Sequence, residues 1–467
     1  MIRVIRCLAI VLMASMPTPA AAQPTVLGTW DGAIHIMGQD LGIHVTFTTD
    51  NQVLKATIDI PVQGAMGLPL TNVKAEGESV HFELPAGPGL AVFDGTLKGD
   101  AISGSFTQGL AKGTFDLTRH KGAPPPPPAP EPPPPYNQEE VKIANGPITL
   151  AGTLTLPPSP GRHPAVVLIT GSGAQNRDEE LLGFKVFRVI ADHLTRQGIA
   201  VLRCDDRGVG GSTGAVSDST TEEFATDALA EVAFLKSRPD IDAGHIGLVG
   251  HSEGAIVASI AAPRSRDVAF IVLVSGSTIT GEKILLLQGQ RILKAQGASQ
   301  EVLDKQADTQ RRIFEVVRTN QGWDELEKQL KTDVVAQMAQ LPDEQRKVMQ
   351  QAADTQIQTQ LKQVRARWFR FFLDFDPAPV LAQVRCPVLA LFGELDLQVP
   401  VDVNKPVMEQ AFAKGKNRDV TIKVLPKANH LYQVAKTGAP AEYASLQKEF
   451  VPELLPLLTT WIQQHVF

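Results

Sequence analysis

The chain has 467 residues, a formal net charge of −6 at pH 7 and 43% hydrophobic residues. This length allows more than one hydrophobic core, so we expect two domains behind a leader. The negative net charge argues against nucleic acid as a partner. The three cysteines form no C-x-x-C pair and no H-E-x-x-H motif occurs, so the spacing of potential ligands predicts no metal site.

The first residues are typical of a secretory signal peptide. Arg3 and Arg6 make the start basic, residues 7–16 are apolar, and Ala20–Ala22 offers a small-residue cleavage site. We therefore expect a signal peptide over residues 1–22 and a mature protein that is periplasmic or secreted. The apolar run is shorter than the roughly 20 helical residues that span a bilayer. We expect no membrane span in the mature protein.

Residues 24–120 alternate apolar and polar side chains in short segments, such as 43–47 and 80–84, separated by Gly-rich turns. This period of two predicts a small antiparallel β domain, either a barrel or a sandwich. The domain is either a spacer or a module that binds a substrate, a cell wall or another partner. A Pro-rich linker over residues 121–137 follows, and its proline run predicts an extended polyproline helix.

Strands and helices alternate over residues 138–467, which predicts a mostly parallel sheet covered by helices. The predicted elements are a hairpin over 141–156 with Asn145–Gly146 at its turn, strands over 165–170, 199–204, 245–249, 268–274, 388–392 and 420–425, and helices over 184–197, 221–236, 255–261, 401–413 and 443–465.

Long helical stretches rich in Gln, Lys, Glu and Leu interrupt this alternation over about residues 280–375 and end in the aromatic run Trp368–Phe372. We interpret them as a helical cap inserted into the α/β domain. A coiled-coil interaction arm is the alternative, but the apolar residues keep no strict heptad.

The run Gly250-His251-Ser252-Glu253-Gly254 lies between an apolar strand and an apolar helix. In a G-x-S-x-G turn of this kind the serine takes a strained backbone position that lifts its hydroxyl clear of the sheet. The pattern predicts Ser252 as a nucleophile, and a plain Gly-rich turn is the alternative.

Asp396 and His430 each follow a predicted strand, so both should reach the sheet edge that carries Ser252. His430 would take the serine proton and return it to the leaving group, while Asp396 would fix the imidazole tautomer. Besides His430, only His465 follows Asp396 among the ten histidines, and His465 lies in the predicted terminal helix. Glu394 is the alternative acid.

Backbone amides must stabilise the negative charge that develops on the attacked carbonyl. We expect one amide from Glu253, after the nucleophile, and a second from Ser172, with Gly173 as the alternative. The Gly-rich segments could instead bind phosphate. However, the first of these segments, residues 170–173, lacks the P-loop lysine. In the second, which begins at Gly208, Thr213 stands where the G-x-G-x-x-G pattern needs its last glycine.

Four motifs together resemble the α/β-hydrolase superfamily, specifically bacterial EstD-like esterases, over about residues 141–467. They are residues 170–179 (the oxyanion loop), residues 205–214, the Gly250–Gly254 turn and Trp368–Phe372. The resemblance implies an acyl-ester hydrolase without a cofactor, with Ser252, Asp396 and His430 as its triad. Asn176 stands where that family often carries aspartate. We expect Arg177, Asp178, Asp206 and Arg207 to form ion pairs that shape the oxyanion loop rather than to bind substrate.

The leading hypothesis is a serine carboxylesterase that hydrolyses small-molecule esters with short or medium acyl chains under an aromatic-lined cap. An aminopeptidase-like serine peptidase on the same fold is the first alternative. A non-catalytic binding protein is the second, and the triad pattern argues against it.

Overall fold

A computed structural model describes residues 26–36, 39–50, 53–60, 65–85, 90–108, 111–120, 133–337, 354 and 357–467. The predicted signal peptide and most of the predicted linker, residues 121–132, lie outside the described residues. The chain divides into two compact units, Met1–Asp59 with Gly67–Pro125 and Ile60–Met66 with Pro126–Phe467.

The described residues before the predicted linker form one antiparallel sheet of nine strands. They are β1 (Gly28–Ile36), β2 (Gln39–Asp50), β3 (Val53–Ile60), β4 (Ala65–Pro69), β5 (Thr71–Glu76), β6 (Ser79–Pro85), β7 (Leu90–Lys98), β8 (Ala101–Gln108) and β9 (Ala111–Arg119). Their order in the sheet is β4-β3-β2-β1-β9-β8-β7-β6-β5. The two edge strands are consecutive in the chain with only Leu70 between them, so the sheet curls into a nearly closed barrel. The predicted antiparallel β fold is confirmed.

Aromatic side chains fill the inner face of this curled sheet. The rings of Phe82 and Phe93 stack with centroids 4.5 Å apart, and Phe115 meets both of them edge-on. All three are fully buried, as are Trp30 and Phe47. Such pairs add favourable aromatic contacts to the area that they bury, so the alternating pattern of the sequence encodes one continuous core.

The second unit contains a larger mixed sheet, and its strands are β10 (Asn137–Asn145), β11 (Ile148–Leu156), β12 (His163–Ile169), β15 (Ala200–Cys204), β16 (Ile241–His251), β17 (Phe270–Val274), β18 (Val388–Gly393) and β19 (Val420–Leu425). Their order is β10-β11-β15-β12-β16-β17-β18-β19. Pairing is antiparallel at β10, β11 and β15, and parallel from β15 to β19. A separate short hairpin joins β13 (Glu180–Leu181) to β14 (Phe184–Lys185).

Helices cover both faces of this sheet, and the predicted α/β-hydrolase fold is confirmed. They are α1 (Val186–Arg196), α2 (Thr221–Lys236), α3 (Glu253–Ala261), α4 (Gly281–Ala295), α5 (Gln300–Thr319), α6 (Trp323–Gln337), α7 (Arg367–Asp374), α8 (Ala378–Leu381), α9 (Val401–Gly415) and α10 (Leu454–Val466). A further helical segment covers residues 357–365. None of the described helices is long and apolar enough to cross a membrane.

Two predicted elements differ from the structure. The turn of the first hairpin lies at Gly146–Pro147, because Asn145 still pairs with Ile148 and only Gly146 has a positive φ. The predicted helix over 443–465 is wrong in its first part. Residues before α10 are drawn into contact with the loop after β19, where the amide of Val451 donates to the carbonyl of Tyr432 at 2.7 Å.

The inserted cap begins and ends at one tight contact. The described helices α4 to α7 lie between the neighbouring strands β17 and β18, as the prediction of an inserted helical cap requires. At the base of the cap, a Cβ atom on Gly281 would lie 1.9 Å from the carbonyl oxygen of Phe372. Only glycine lets the first cap helix approach the last one so closely.

We expect Gly281→Ala to separate α4 from α7 and to lower the free energy of unfolding by about 1–3 kcal/mol, as overpacking does elsewhere. The matched control is Gly289→Ala in the same helix. A Cβ atom there would meet only the flexible side chain of Gln310, at 3.2 Å, and the change should gain up to about 1 kcal/mol of helix propensity. Denaturant unfolding measures both, and equal stability of the two variants would contradict the close contact.

Candidate active site

Ser252 occupies a strained turn between β16 and α3. Its φ and ψ are 55° and −115°, in a left-handed region that residues other than glycine rarely adopt. The flanking glycines make the turn possible. A Cβ atom on Gly250 would lie 2.1 Å from the carbonyl oxygen of Gly254, and one on Gly254 would lie 2.1 Å from that of Ile169. The sequence pattern therefore folds into the strand, sharp turn and helix that present a serine at the sheet edge.

Asp396 and His430 meet in the loops that follow β18 and β19. His430 Nδ1 lies 2.8 Å from Asp396 Oδ2, and both side chains are buried. The amides of Gln398 and Val399 both donate to Asp396 Oδ1 at 2.8 Å. The carboxylate is thus fixed on both oxygens, and its second oxygen orients the imidazole.

The charge of Asp396 is stabilised despite its burial. Burial alone would raise the pKa of this carboxyl, but the charge and hydrogen bond of His430 and the amide of Val399 hold it below its usual value. The alternative acid, Glu394, instead accepts from the amide of Lys427 at 2.8 Å. His465 lies in α10 and stacks on Trp461. Of these residues, only Asp396 contacts His430.

A second histidine links the Ser252 turn to His430. Since β16 to β19 run parallel, their carboxyl ends share one edge of the sheet. His251, directly before Ser252, donates from Nε2 to the carbonyl oxygen of His430 at 2.9 Å, and the two imidazole centroids are 4.8 Å apart. The structure therefore brings the turn of Ser252 and the Asp396–His430 pair to the same edge.

The oxyanion loop lies against the Ser252 turn. A Cβ atom on Gly171 would come within 3.3 Å of Ser252 Cβ, and the amide of Gly171 is taken by Glu179 Oε1 at 2.7 Å. No hydrogen bond joins the amides of Ser172 or Gly173 to any described residue. Glu253 is the first residue of α3, where amides point out of the helix. Amides from all three predicted oxyanion residues are thus open to an acceptor.

The side chain of Glu253 connects the turn to the cap. Its carboxyl accepts from Thr221 Oγ1 at 2.6 Å and from Trp368 Nε1 at 2.9 Å. It is buried, and burial raises its pKa. The sequence had singled out Trp368 only as part of an aromatic run. The structure shows that α7 stands directly beside the residue that follows Ser252.

Of the four residues expected in ion pairs, Arg177, Asp178 and Arg207 form them. Arg177 pairs with Asp205 at 2.7 Å, and Arg207 pairs with Asp227 at 2.6 Å. Asp178 pairs with Arg203. The pairs of Arg177 and Asp178 fix the oxyanion loop to the end of β15 and the residue after it, whereas the Arg207–Asp227 pair joins the following segment to α2.

The expectation for Asp206 is wrong. Its carboxyl accepts from Thr170 Oγ1 at 2.6 Å and from the amide of Gln175 at 2.8 Å, with no cation paired to it among the described residues. Burial, together with the nearby Glu179 and Glu253, raises its pKa to about 7. Asp206 therefore braces the loop as a hydrogen-bond acceptor.

Other buried acids line a cavity of about 50 Å³ behind the oxyanion loop, among them Glu231 and Glu253. Burial raises the pKa of Glu231 to about 8. Within the described ranges, no group of three or more His, Cys, Asp or Glu side chains is arranged to hold a metal ion.

The raised pKa of Asp206 generates a prediction about stability. The unfolded chain ionises this group near pH 4 while the folded protein keeps its proton until about pH 7. Folded stability is therefore lost as pH rises between those values. We expect the melting temperature of Asp206→Asn, relative to the unmodified protein, to rise from pH 4 to pH 7 and to level off above. Glu231 and Glu253 are present in both proteins, so the difference reports the titration of Asp206 together with its effect on these neighbours. A difference that stays constant with pH would contradict the assignment.

Comparisons with known proteins agree with this architecture. The model of the alpha/beta hydrolase family matches residues 166–446. Esterase EstD from Thermotoga maritima is 37% identical over 117 residues, which cover 25% of this chain and 28% of that relative. The alignment thus spans just over a quarter of the relative's length.

Solved structures show a more distant likeness. The Pyrococcus furiosus esterase Pf2001 has 18% identity and a TM-score of 0.40, covering 62% of this chain and 83% of that one. The alpha/beta hydrolase GrgF from Penicillium sp. sh18 has 17% identity and a TM-score of 0.45, covering 71% and 100%. Because the family model matches more than half of the chain, the protein belongs to the alpha/beta hydrolase family.

Proposed function

We propose that the protein is a serine carboxylesterase that hydrolyses small-molecule esters through Ser252, His430 and Asp396. The observation that carries this proposal is the buried hydrogen bond between His430 and Asp396 at the sheet edge of the strained Ser252 turn. The partial likeness to Esterase EstD supports ester bonds as the target.

The reaction begins when Ser252 Oγ attacks the ester carbonyl carbon and His430 Nε2 takes the hydroxyl proton. Asp396 holds the Nδ1 proton of His430, which keeps the lone pair of Nε2 free for this step. As the imidazole becomes charged, the Asp396 carboxylate stabilises it at 2.8 Å.

The carbonyl oxygen becomes negatively charged in the tetrahedral intermediate. The amide of Glu253 and that of Ser172, or alternatively Gly173, donate hydrogen bonds to it. Each such donor is worth about 10²-fold to 10³-fold in rate. The proton on His430 then passes to the departing alcohol, which leaves an acyl-enzyme on Ser252. Water, activated by His430, releases the acid and restores the serine.

Short or medium acyl chains are the proposed substrates. The hydrogen bond of Trp368 to Glu253 ties the aromatic helix α7 to the residue after Ser252, and Phe372 stacks on the same indole at 5.3 Å. Apolar rings on this side of the turn would favour an apolar acyl group.

The periplasm or the exterior of the cell is the proposed location. The basic start, the apolar run and the Ala20–Ala22 site support it.

The reaction is tested with p-nitrophenyl esters of increasing acyl length and with aminoacyl anilides. We expect ester turnover that is best for short or medium chains, and labelling of Ser252 by a fluorophosphonate. Asp396→Asn should lower kcat by about 10⁴-fold, because the asparagine amide favours the wrong imidazole tautomer. Glu394→Gln is the matched control and should retain activity. Turnover of the anilides alone would favour a peptidase, and an unlabelled Ser252 in folded protein would favour a binding protein.

The leader is tested by expressing the full chain in a Gram-negative host. We expect a periplasmic protein whose first residue is Gln23, because a peptidase that needs small residues cleaves after Ala22. Leucine at both Ala20 and Ala22 should block that cleavage. A native chain that keeps Met1 and stays in the cytoplasm would contradict the proposed location.

A further inference from the structure

We propose that Glu179 and His251 form a buried ion pair that fixes the position of the oxyanion loop relative to the loop of His430. The inference rests on the proposed ester hydrolysis, because both loops serve that reaction. Neither side chain takes part in the steps described above, so both are positioning residues.

The pair joins three segments of the chain through three hydrogen bonds. Glu179 Oε1 accepts from the amide of Gly171 at 2.7 Å and faces His251 Nδ1 at 2.8 Å. His251 Nε2 donates to the carbonyl oxygen of His430 at 2.9 Å. Glu179 and His251 are only 4% and 5% exposed. The oxyanion loop, the Ser252 turn and the His430 loop are therefore linked through one imidazole.

Proton counting ties the charge of this imidazole to that of Glu179, which is ionised in the proposed pair. The carbonyl oxygen of His430 can only accept, so His251 Nε2 carries a proton. Glu179 Oε1 already accepts from the amide of Gly171, and an ionised carboxylate needs a second proton from Nδ1. A histidine that donates from both nitrogens is an imidazolium, so His251 carries a positive charge that the Glu179 carboxylate balances.

The groups packed around His251 stabilise that charge. They are Glu179 from the oxyanion loop, Asp396 from the loop after β18, and the backbone carbonyl of His430, while Tyr432 and apolar side chains such as Val249 line the remaining small cavity. Burial lowers the pKa of His251, but Glu179, the carbonyl of His430 and Asp396 outweigh it and raise the pKa above its usual value.

The backbone conformation of the oxyanion loop places Glu179 beside His251. Glu179 itself has a φ of 45°, a conformation that costs energy for a residue other than glycine. The turn before it is closed by Asn176, whose Oδ1 accepts from the amides of Asp178 and Glu180 at 3.0 and 3.3 Å. With Gly171 tied to Glu179, the next amides, those of Ser172 and Gly173, are held beside Ser252.

Glu179→Gln keeps the shape of the side chain but breaks this linkage. A neutral His251 has one N–H to share between Glu179 and His430. If the amide group of glutamine turned to donate to Nδ1, the amide of Gly171 would lose its acceptor. One of the three hydrogen bonds is therefore lost in either orientation, and the oxyanion amides shift.

The first measurement is the protonation of His251 in the unmodified protein, by NMR of ¹⁵N-labelled histidine at pH 7. We expect the signals assigned to His251 to show protons on both ring nitrogens, and these signals should change to those of a neutral imidazole in Glu179→Gln. A neutral His251 at pH 7 would overturn the proposal. This readout does not depend on turnover, so it stands even if the protein hydrolyses no ester.

The second measurement is the pH profile of ester hydrolysis. We expect kcat of Glu179→Gln to fall about 10- to 100-fold with KM within about twofold, because misplaced oxyanion amides weaken only the transition state. The alkaline limb, where His251 loses its proton, should move at least one pH unit towards acid, whereas the acid limb should stay. The matched control is Glu231→Gln, another buried glutamate, which should leave both limbs in place.

A purely structural role predicts a different result. Glu179→Gln would then lose thermal stability but keep the kcat and both limbs of the folded fraction, which would overturn the proposal. Failure of the proposed function itself shows earlier, as an unmodified protein with no ester turnover or a Ser252→Ala variant with full turnover.

Discussion

Close backbone packing around the Ser252 turn is the constraint on which the site depends. Strand β12, strand β16 and helix α3 approach so tightly that Cβ atoms on Gly250 and Gly254 would overlap neighbouring carbonyl groups. The backbone segments can approach this closely only because both positions are glycine. Ser252, between them, adopts a left-handed conformation. Packing against the sheet on one side and helix α3 on the other keeps Ser252 in this strained conformation.

Buried acids near this turn fall into two electrostatic classes. Asp396 and Asp205 keep a low pKa because an imidazole or a guanidinium contacts each of them. Asp206, Glu231 and Glu253 have raised pKa values because burial outweighs their hydrogen bonds. The second class lies behind the oxyanion loop. Their raised pKa values favour the protonated forms, and a protonated acid does not repel the negative charge that ester hydrolysis would place on the carbonyl oxygen.

The sequence predicted the parts of the fold that depend on local pattern. Apolar runs such as 388–392 indicated buried parallel strands, and α2 begins at Thr221 because Thr220 caps it. The glycines of the Ser252 turn and the order of Asp396 and His430 predicted which loops would meet. Their contact follows from parallel topology, which places the carboxyl ends of β16, β18 and β19 at one edge.

Partners far apart in the chain could not be predicted from such patterns. Glu179 and His251 are 72 residues apart, and nothing in their spacing predicts a contact. Asp206 was expected in an ion pair, but the neighbouring Arg207 pairs with Asp227. Likewise, the helix predicted from residue 443 is shortened because Val451 pairs with Tyr432, a tertiary contact that overrides local helical pattern.

The place where the cap leaves and rejoins the sheet has an evolutionary consequence. Strands β17 and β18 are hydrogen-bonded neighbours, so the chain between them returns to almost the point from which it departed. The length of such an excursion does not alter the register of the sheet, and loop closure becomes only slowly more costly as it grows. An insertion at this place can therefore change in length during evolution while the sheet beneath it keeps its pairing.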